Sequence, residues 1–350
     1  MKTGLPLTSH FGASKIRWLL KQPEIRKAYD ASRLCIGPLA AYLIYQLTDA
    51  HQIVVDLANG ARTQLMNWQT GDWDPDLLHL FGISPQILPA CIPMRGHFGY
   101  LRKTGIPIKA VNGDQGAALL ARGPLEKGEA RINLGTGAFV SATWPRPIKG
   151  LLFSQIDAGK GREQYVCEGT VNGAGAAITW LADLIKQGNL PLLLNDWLEG
   201  CFEPPIFLNY IGGLGSPWWR SGVDPSFLDL SMAEALADPR RAACGVAESI
   251  LFLLKGNLDH MQSAGVKIQR ISASGGLSQI PALVKKLANL CQVPVSVDML
   301  PESSALGIAW QASGDLQPWR REACQPIQPT ADEALQKRYR RFSEALPAKV

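Results

Sequence analysis

The sequence predicts a two-domain α/β protein, and three observations carry that expectation. At 350 residues the chain is longer than one hydrophobic core usually supports. Residues that are 46% hydrophobic and 19% charged suit a compact fold with ample buried material. Beyond residue 125, strand-like and helix-like patterns alternate, as they do when helices cover a largely parallel sheet.

The elements follow in order. Up to about residue 110 the chain reads as helix and loop: "SKIRWLLKQ", "PLAAYLIYQL" and "WDPDLLHLFGI". "IKAVNGD" is the clear strand candidate there, running straight into Asp114. "RGPLEKGEA" is loop-like and sets a boundary near 122, giving domains of 1–122 and 123–350. "ARINLGTGAFVSATW" predicts two strands joined at Gly135-Thr136-Gly137, and "EQYVCEGTV" a third. In "GAGAAITWLADLIKQ", Ile178, Leu181, Leu184 and Ile185 recur at helical spacing. "PIFLNYI" reads as a buried strand. Asp238-Pro239 opens the longest helix, an N-cap followed by proline at the first helical position. Ile268 to Ser274 predicts a strand, Ile280 to Leu290 a helix, "VPVSVDM" a strand and "SSALGIAWQAS" a closing helix. The arginine-rich tail "QKRYRRFSEAL" reads as a solvated helix face.

Composition excludes several classes of function. The net charge of +5 is mild and scattered; it suits an anionic small ligand and gives no reason to expect nucleic acid. The seven cysteines are odd in number, widely spaced and without a C-x-x-C, so neither a disulfide frame nor a zinc site is expected. They read as reduced core residues of a cytoplasmic protein. "MKTGLPLTSHFG" has no apolar signal region, and "LCIGPLAAYLIYQL" is too short and proline-broken to span a membrane.

Chemistry concentrates where strands end in small residues. In "VNGDQGAALL", Asp114 precedes a helix, where a carboxylate either caps backbone N–H groups or stands as a base at the lip of a cleft. Gly135-Thr136-Gly137 lets a ligand approach the backbone and offers a hydroxyl to a phosphate, or is simply a tight hairpin. Gly275-Gly276, between strand and helix, can attract an anion or cradle a ribose. "NGAGAA" permits close approach of a ligand or of another helix.

Taken in order, "GDQGAAL", "NLGTGAFV", "EGTVNGAGAAITW", "GGLGSPWW", "SGGLSQ" and "ESSALGIAW" resemble the FGGY carbohydrate kinases, nearest the glycerol-kinase branch. The resemblance spans nearly the whole chain. It implies an actin-like ATPase (ribonuclease H-like) fold, with two α/β domains closing on a cleft. It also implies ATP-dependent phosphorylation of a small polyol or ketose, with ATP and Mg2+ as cofactors. Carried over, Asp114 is the general base and the metal-facing carboxylate. Gln115, His10 and Phe139 face the substrate. Gly135, Thr136 and Gly137 contact phosphates, Gly175 and Thr179 line the nucleotide site, and Gly275, Gly276 and Ile280 form the adenosine turn. His10 replaces a family tyrosine, Thr179 a glutamine and Ile280 an asparagine.

One family string is missing from the sequence. No Asp-x-Gly-Thr turn, which grips phosphate and magnesium in the family, occurs; "IDAGKG" at 156–161 is the nearest string. The chain is therefore expected to begin after roughly the family's first hundred residues. The first domain is then expected to be incomplete, with a homo-oligomer or a separately encoded front segment as partner. The alternative function is a non-catalytic nucleotide- or partner-binding remnant.

Overall fold

The structure, a computed structural model, describes residues 2–349 except 160, 202, 299, 316 and 320–324. The first part is built from short pieces: α1 (Gly12–Leu19), α2 (Leu39–Leu47), β1 (Val54–Asp56), α3 (Pro75–Phe81), β2 (Ala90–Ile92) and α4 (Asp114–Leu119). α3 shows how sequence sets such a piece. Asp74 accepts from the amides of Asp76 and Leu77 at 3.0 and 3.1 Å, Pro75 fills the first turn, and Gly82 ends the helix at φ +67°. Ala13, Ile16, Leu65, Leu78, Ile83 and Ile87 form the local core.

Two expectations fail in this part. β1 and β2 pair in parallel, Val54 opposite Ala90, yet three residues are too few for alternation to announce a strand. "IKAVNGD" holds one isolated bridge among the described residues, Ala110 with Arg95, and Pro107 just before it pairs only with Tyr100. Pro107 has no N–H to give to a ladder.

The main sheet belongs to the second part. Its strands are β3 (Gly128–Leu134), β4 (Ala138–Thr143), β5 (Leu152–Gly159), β6 (Arg162–Val171), β7 (Ile268–Ser274) and β8 (Val295–Val297), in spatial order β8-β7-β3-β4-β6-β5. β8, β7 and β3 run parallel, and the β3-β4-β6-β5 side is antiparallel. "PIFLNYI" contributes only Phe207–Leu208, paired with Ser226–Phe227.

One face of the sheet packs on α5 (Gly175–Leu184), α6 (Pro239–Ser263) and α7 (Pro281–Cys291). α6 starts as its sequence requires, with Asp238 accepting from the Arg241 amide at 3.0 Å. Its Val246, Ile250, Leu254 and Leu258 sit in the core beside Ile132 and Val140; each such burial contributes about 1.5–3 kcal/mol. Over the other face, α8 (Ser303–Ser313) packs on α4 around Leu120, Ile156, Val166 and Trp310.

The tail helix α9 (Glu333–Ala345) is more than a solvated face. Leu335 and Phe342 are fully buried, Phe342 against Phe252 at 5.2 Å, and Arg338 pairs with the buried Glu248 at 2.7 Å. The charges conceal an apolar seam of period 3.6. The cysteine expectation holds for Cys167, Cys201 and Cys244, which are buried; Cys35 is exposed, and Cys324 lies outside the described residues. α2 leaves Leu39, Tyr42, Leu43 and Leu47 exposed. No helix among the described residues is long and apolar enough to cross a membrane.

Candidate active site

The segment leading to Asp114 is fixed from behind. Asn112 donates to the Ile156 carbonyl and to Gln311 Oε1, both at 2.9 Å, and accepts from the Gly113 amide at 2.8 Å. Gln311 donates in turn to Asp157 Oδ1 at 2.9 Å, which also takes a 2.7 Å bond from Arg95. The Arg95 and Asp157 side chains are wholly buried, and the guanidinium lies 4.4 Å over Trp310. Gly113 is the extended N-cap, and Asp114 is the first residue of α4.

The capping role weighed for Asp114 has one contact behind it. Its Oδ1 accepts the Gln115 amide at 2.8 Å, satisfying one free donor of the helix start. Its carbonyl accepts from Ser304 Oγ at 3.1 Å, tying α4 to α8. The side chain is nevertheless exposed and lines a cavity of about 570 Å³ together with His10, Gln115 and Phe139. The four substrate-side residues implied by the resemblance thus come together, though 129 positions separate His10 from Phe139.

A second cavity, of about 480 Å³, adjoins the first and includes Gly275 and Gly276. Gln115, Leu119, Phe139 and Glu168 line both, so one wall divides them. Gly275 adopts φ +91°, and a Cβ on it would lie 2.7 Å from the Leu134 carbonyl oxygen. A Cβ on Gly276 would meet nothing within 4 Å, which leaves an open, exposed position.

The phosphate-side turn has a different logic. The carbonyl of Gly135 accepts the Gly175 amide at 2.9 Å, and that of Thr136 accepts the amides of Ala174 and Ala176 at 3.2 and 2.9 Å. The first amides of α5 are therefore occupied by the turn itself. Gly175 is small because a Cβ there would lie 2.8 Å from the Gly135 carbonyl oxygen, so it acts through the turn. Thr136 is exposed in the turn between β3 and β4, and neither it nor Gly135 nor Gly137 lines either cavity. Thr179 is exposed, its hydroxyl donating to the Gly175 carbonyl at 3.1 Å. Ile280 is buried in the core and lines neither cavity.

The residues fit magnesium in one way only. Among the described residues no group of three or more His, Cys, Asp or Glu could cage a metal. Magnesium commonly takes one or two carboxylates and completes its shell with phosphates and water. The exposed Asp114 carboxylate suits that arrangement, with the ion arriving on the nucleotide.

Sequence reading missed Arg62, Glu168 and Trp219, which also line the first cavity. Only Glu168 left a signal, since it shares a strand face with Thr170 two residues on. Burial pushes its carboxyl above the ordinary value of 4.5, and the Arg62 charge partly offsets this.

Comparison with known proteins agrees over both halves. The model for the N-terminal domain of the FGGY family of carbohydrate kinases matches residues 1–121, and that for the C-terminal domain matches 130–314. The expectation of an incomplete first domain is not supported by that match. A glycerol kinase of Thermus brockianus is 34% identical over 98% of this chain and 73% of its own length. One of Polaromonas naphthalenivorans is 30% identical over 89% of this chain, which spans 65% of that protein. Among solved structures, Plasmodium falciparum glycerol kinase with ADP superimposes with a TM-score of 0.86 at 24% identity, covering 98% of this chain and 72% of that one. Xylulose kinase from Rhodospirillum rubrum gives 0.83 at 21% identity, covering 98% and 73%. The fold is the actin-like ATPase fold of these kinases, and the chain belongs to the FGGY family of carbohydrate kinases.

Proposed function

We propose that this chain transfers the γ-phosphoryl group of ATP to a hydroxyl of a small polyol or ketose, with Asp114 as general base. Residues 1–122 form the substrate side and 123–350 the nucleotide side. The observation that carries the reading is the divided cavity: Asp114 lines one compartment, Gly275 and Gly276 the other, and Gln115 and Phe139 stand between. Phosphoryl transfer demands placement and charge neutralisation more than covalent chemistry. Magnesium, when bound with the nucleotide, supplies part of that neutralisation, and Asp114 is the residue that would hold it.

The remaining work falls to the chain's own groups. Phe139 offers an apolar surface to the carbon chain of the substrate, while His10 and Gln115 address its hydroxyls. Asp114 accepts the proton of the attacking hydroxyl, an effect of about 10²–10⁴ on rate. The Thr136 hydroxyl and the turn around it meet the phosphates, and Gly276 leaves room for the nucleoside. A second reading, nucleotide or partner binding without turnover, draws on the lack of an Asp-x-Gly-Thr turn among residues 1–350.

The test is transfer of labelled phosphate from ATP to glycerol or xylulose, with ATP affinity measured alongside. Asp114→Asn should abolish transfer and leave ATP affinity measured without magnesium nearly unchanged, since a base acts in the transition state. Transfer at the parental rate would reduce Asp114 to a helix cap. A parent that binds ATP but transfers to neither acceptor would establish the second reading.

A further inference from the structure

The compartment beside Asp114 contains an acid and a base that the proposed reaction has not yet used. Arg62 ends the short helix Leu57–Ala61, and its Nη2 donates to Ser154 Oγ at 2.9 Å. The same nitrogen stands 3.9 Å from Oε1 of Glu168, which projects from β6. The Glu168 side chain is 9% exposed and that of Arg62 39%, and both line the cavity. No hydrogen bond from the described residues reaches the Glu168 carboxylate; at 3.9 Å even Arg62 is too far for one.

A gap of that size is informative. One hydroxyl oxygen placed about 2.8 Å from both groups spans it, accepting from the guanidinium and donating to the carboxylate. The second carboxylate oxygen remains for a neighbouring hydroxyl. A buried carboxylate without partners is costly, so the site favours a ligand that supplies them. Phe139 and Leu152, in the same compartment, would meet the carbon side of such a ligand.

We propose that Arg62 and Glu168 grip two adjacent hydroxyls of the substrate, so that this pair selects a vicinal diol. The inference rests on the kinase reading of the cavity and adds its substrate selectivity. The pair brings together a residue from each half of the chain, so gripping the diol also ties the halves across the substrate.

The test is equilibrium dialysis of the full chain with labelled glycerol, competed by 1,3-propanediol, which lacks the central hydroxyl. Glu168→Gln and Arg62→Gln should each weaken glycerol binding about 10- to 100-fold, as loss of a charged hydrogen bond does. The parent's preference for glycerol over 1,3-propanediol should collapse in both. Parental affinity and preference in both variants would overturn the assignment while leaving the kinase reading intact. A parent that binds ATP but no glycerol or ketose would overturn the kinase reading and this inference with it. Should Glu168→Gln fail to fold, Arg62→Gln, at the more exposed position, decides the matter alone.

Discussion

The side-chain amides of Asn112 and Gln311 meet at 2.9 Å although 199 positions separate them. Gln311 is buried, and its own amide group reaches both the Ile156 carbonyl and Asp157, so it bridges the segment before Asp114 to β5. Replacing it with leucine preserves volume and removes one partner from each of three polar groups, though Asn112 and the Ile156 carbonyl keep each other and Asp157 keeps Arg95. Gln311→Leu is expected to cost about 0.5–1.5 kcal/mol for each hydrogen bond lost. It should also lower the transfer rate more than it changes ATP affinity. Urea midpoints and kcat measured on the same preparation check this; unchanged stability would mean the network contributes nothing net.

A second expectation concerns the contact between α4 and α8. A Cβ on Gly307 would fall 2.6 Å from the Ala117 carbonyl carbon, inside any tolerable contact. Alanine is intrinsically the better helix residue by about 1 kcal/mol. Overpacking should nonetheless win, with Gly307→Ala costing about 1–3 kcal/mol net and displacing the helix that begins with Asp114. Stabilisation by this substitution would show that the two helices slide apart freely.

The third expectation is a pH dependence of stability. Glu168 holds its proton in the folded chain above the ordinary carboxyl value of 4.5, because burial disfavours its charge. Its contribution is complete below the unfolded value and is lost as pH rises through the folded one, since the unfolded chain ionises first. Glu168→Gln cannot ionise and should flatten the fall in stability as pH rises above about 4.5. Identical curves for parent and variant, from urea midpoints at successive pH values, would show that the carboxyl is not desolvated.

Much of this was legible in the sequence because each readable feature is local. Asp238-Pro239 opening α6, and Gly275-Gly276 ending β7, depend on a few neighbouring residues whose backbone requirements are strict. The order of such strings also identified Asp114, Phe139 and His10 as neighbours. Features that depend on distant partners stayed hidden. Arg62 and Glu168 lie 106 positions apart in unremarkable local patterns, and their meeting is a product of the fold. Gly175 and Ile280 show what a local string leaves out: the glycine lets backbone approach the Gly135 turn, and the isoleucine packs in the core. The tail misled for a related reason, as the four arginines and lysines in "QKRYRRFSEAL" outweigh two buried anchors in any average.

The wall of Gln115, Leu119, Phe139 and Glu168 has two sides, and this constrains how the protein can change. A substitution there reshapes both compartments at once, so under the proposed function a new acceptor preference gained at Phe139 would also alter the compartment proposed for the nucleotide. Residues that border only the first compartment, such as His10 and Trp219, carry no such linkage. Divergence toward other acceptors has its freest path through that outer rim, while the partition between the two ligands stays nearly frozen.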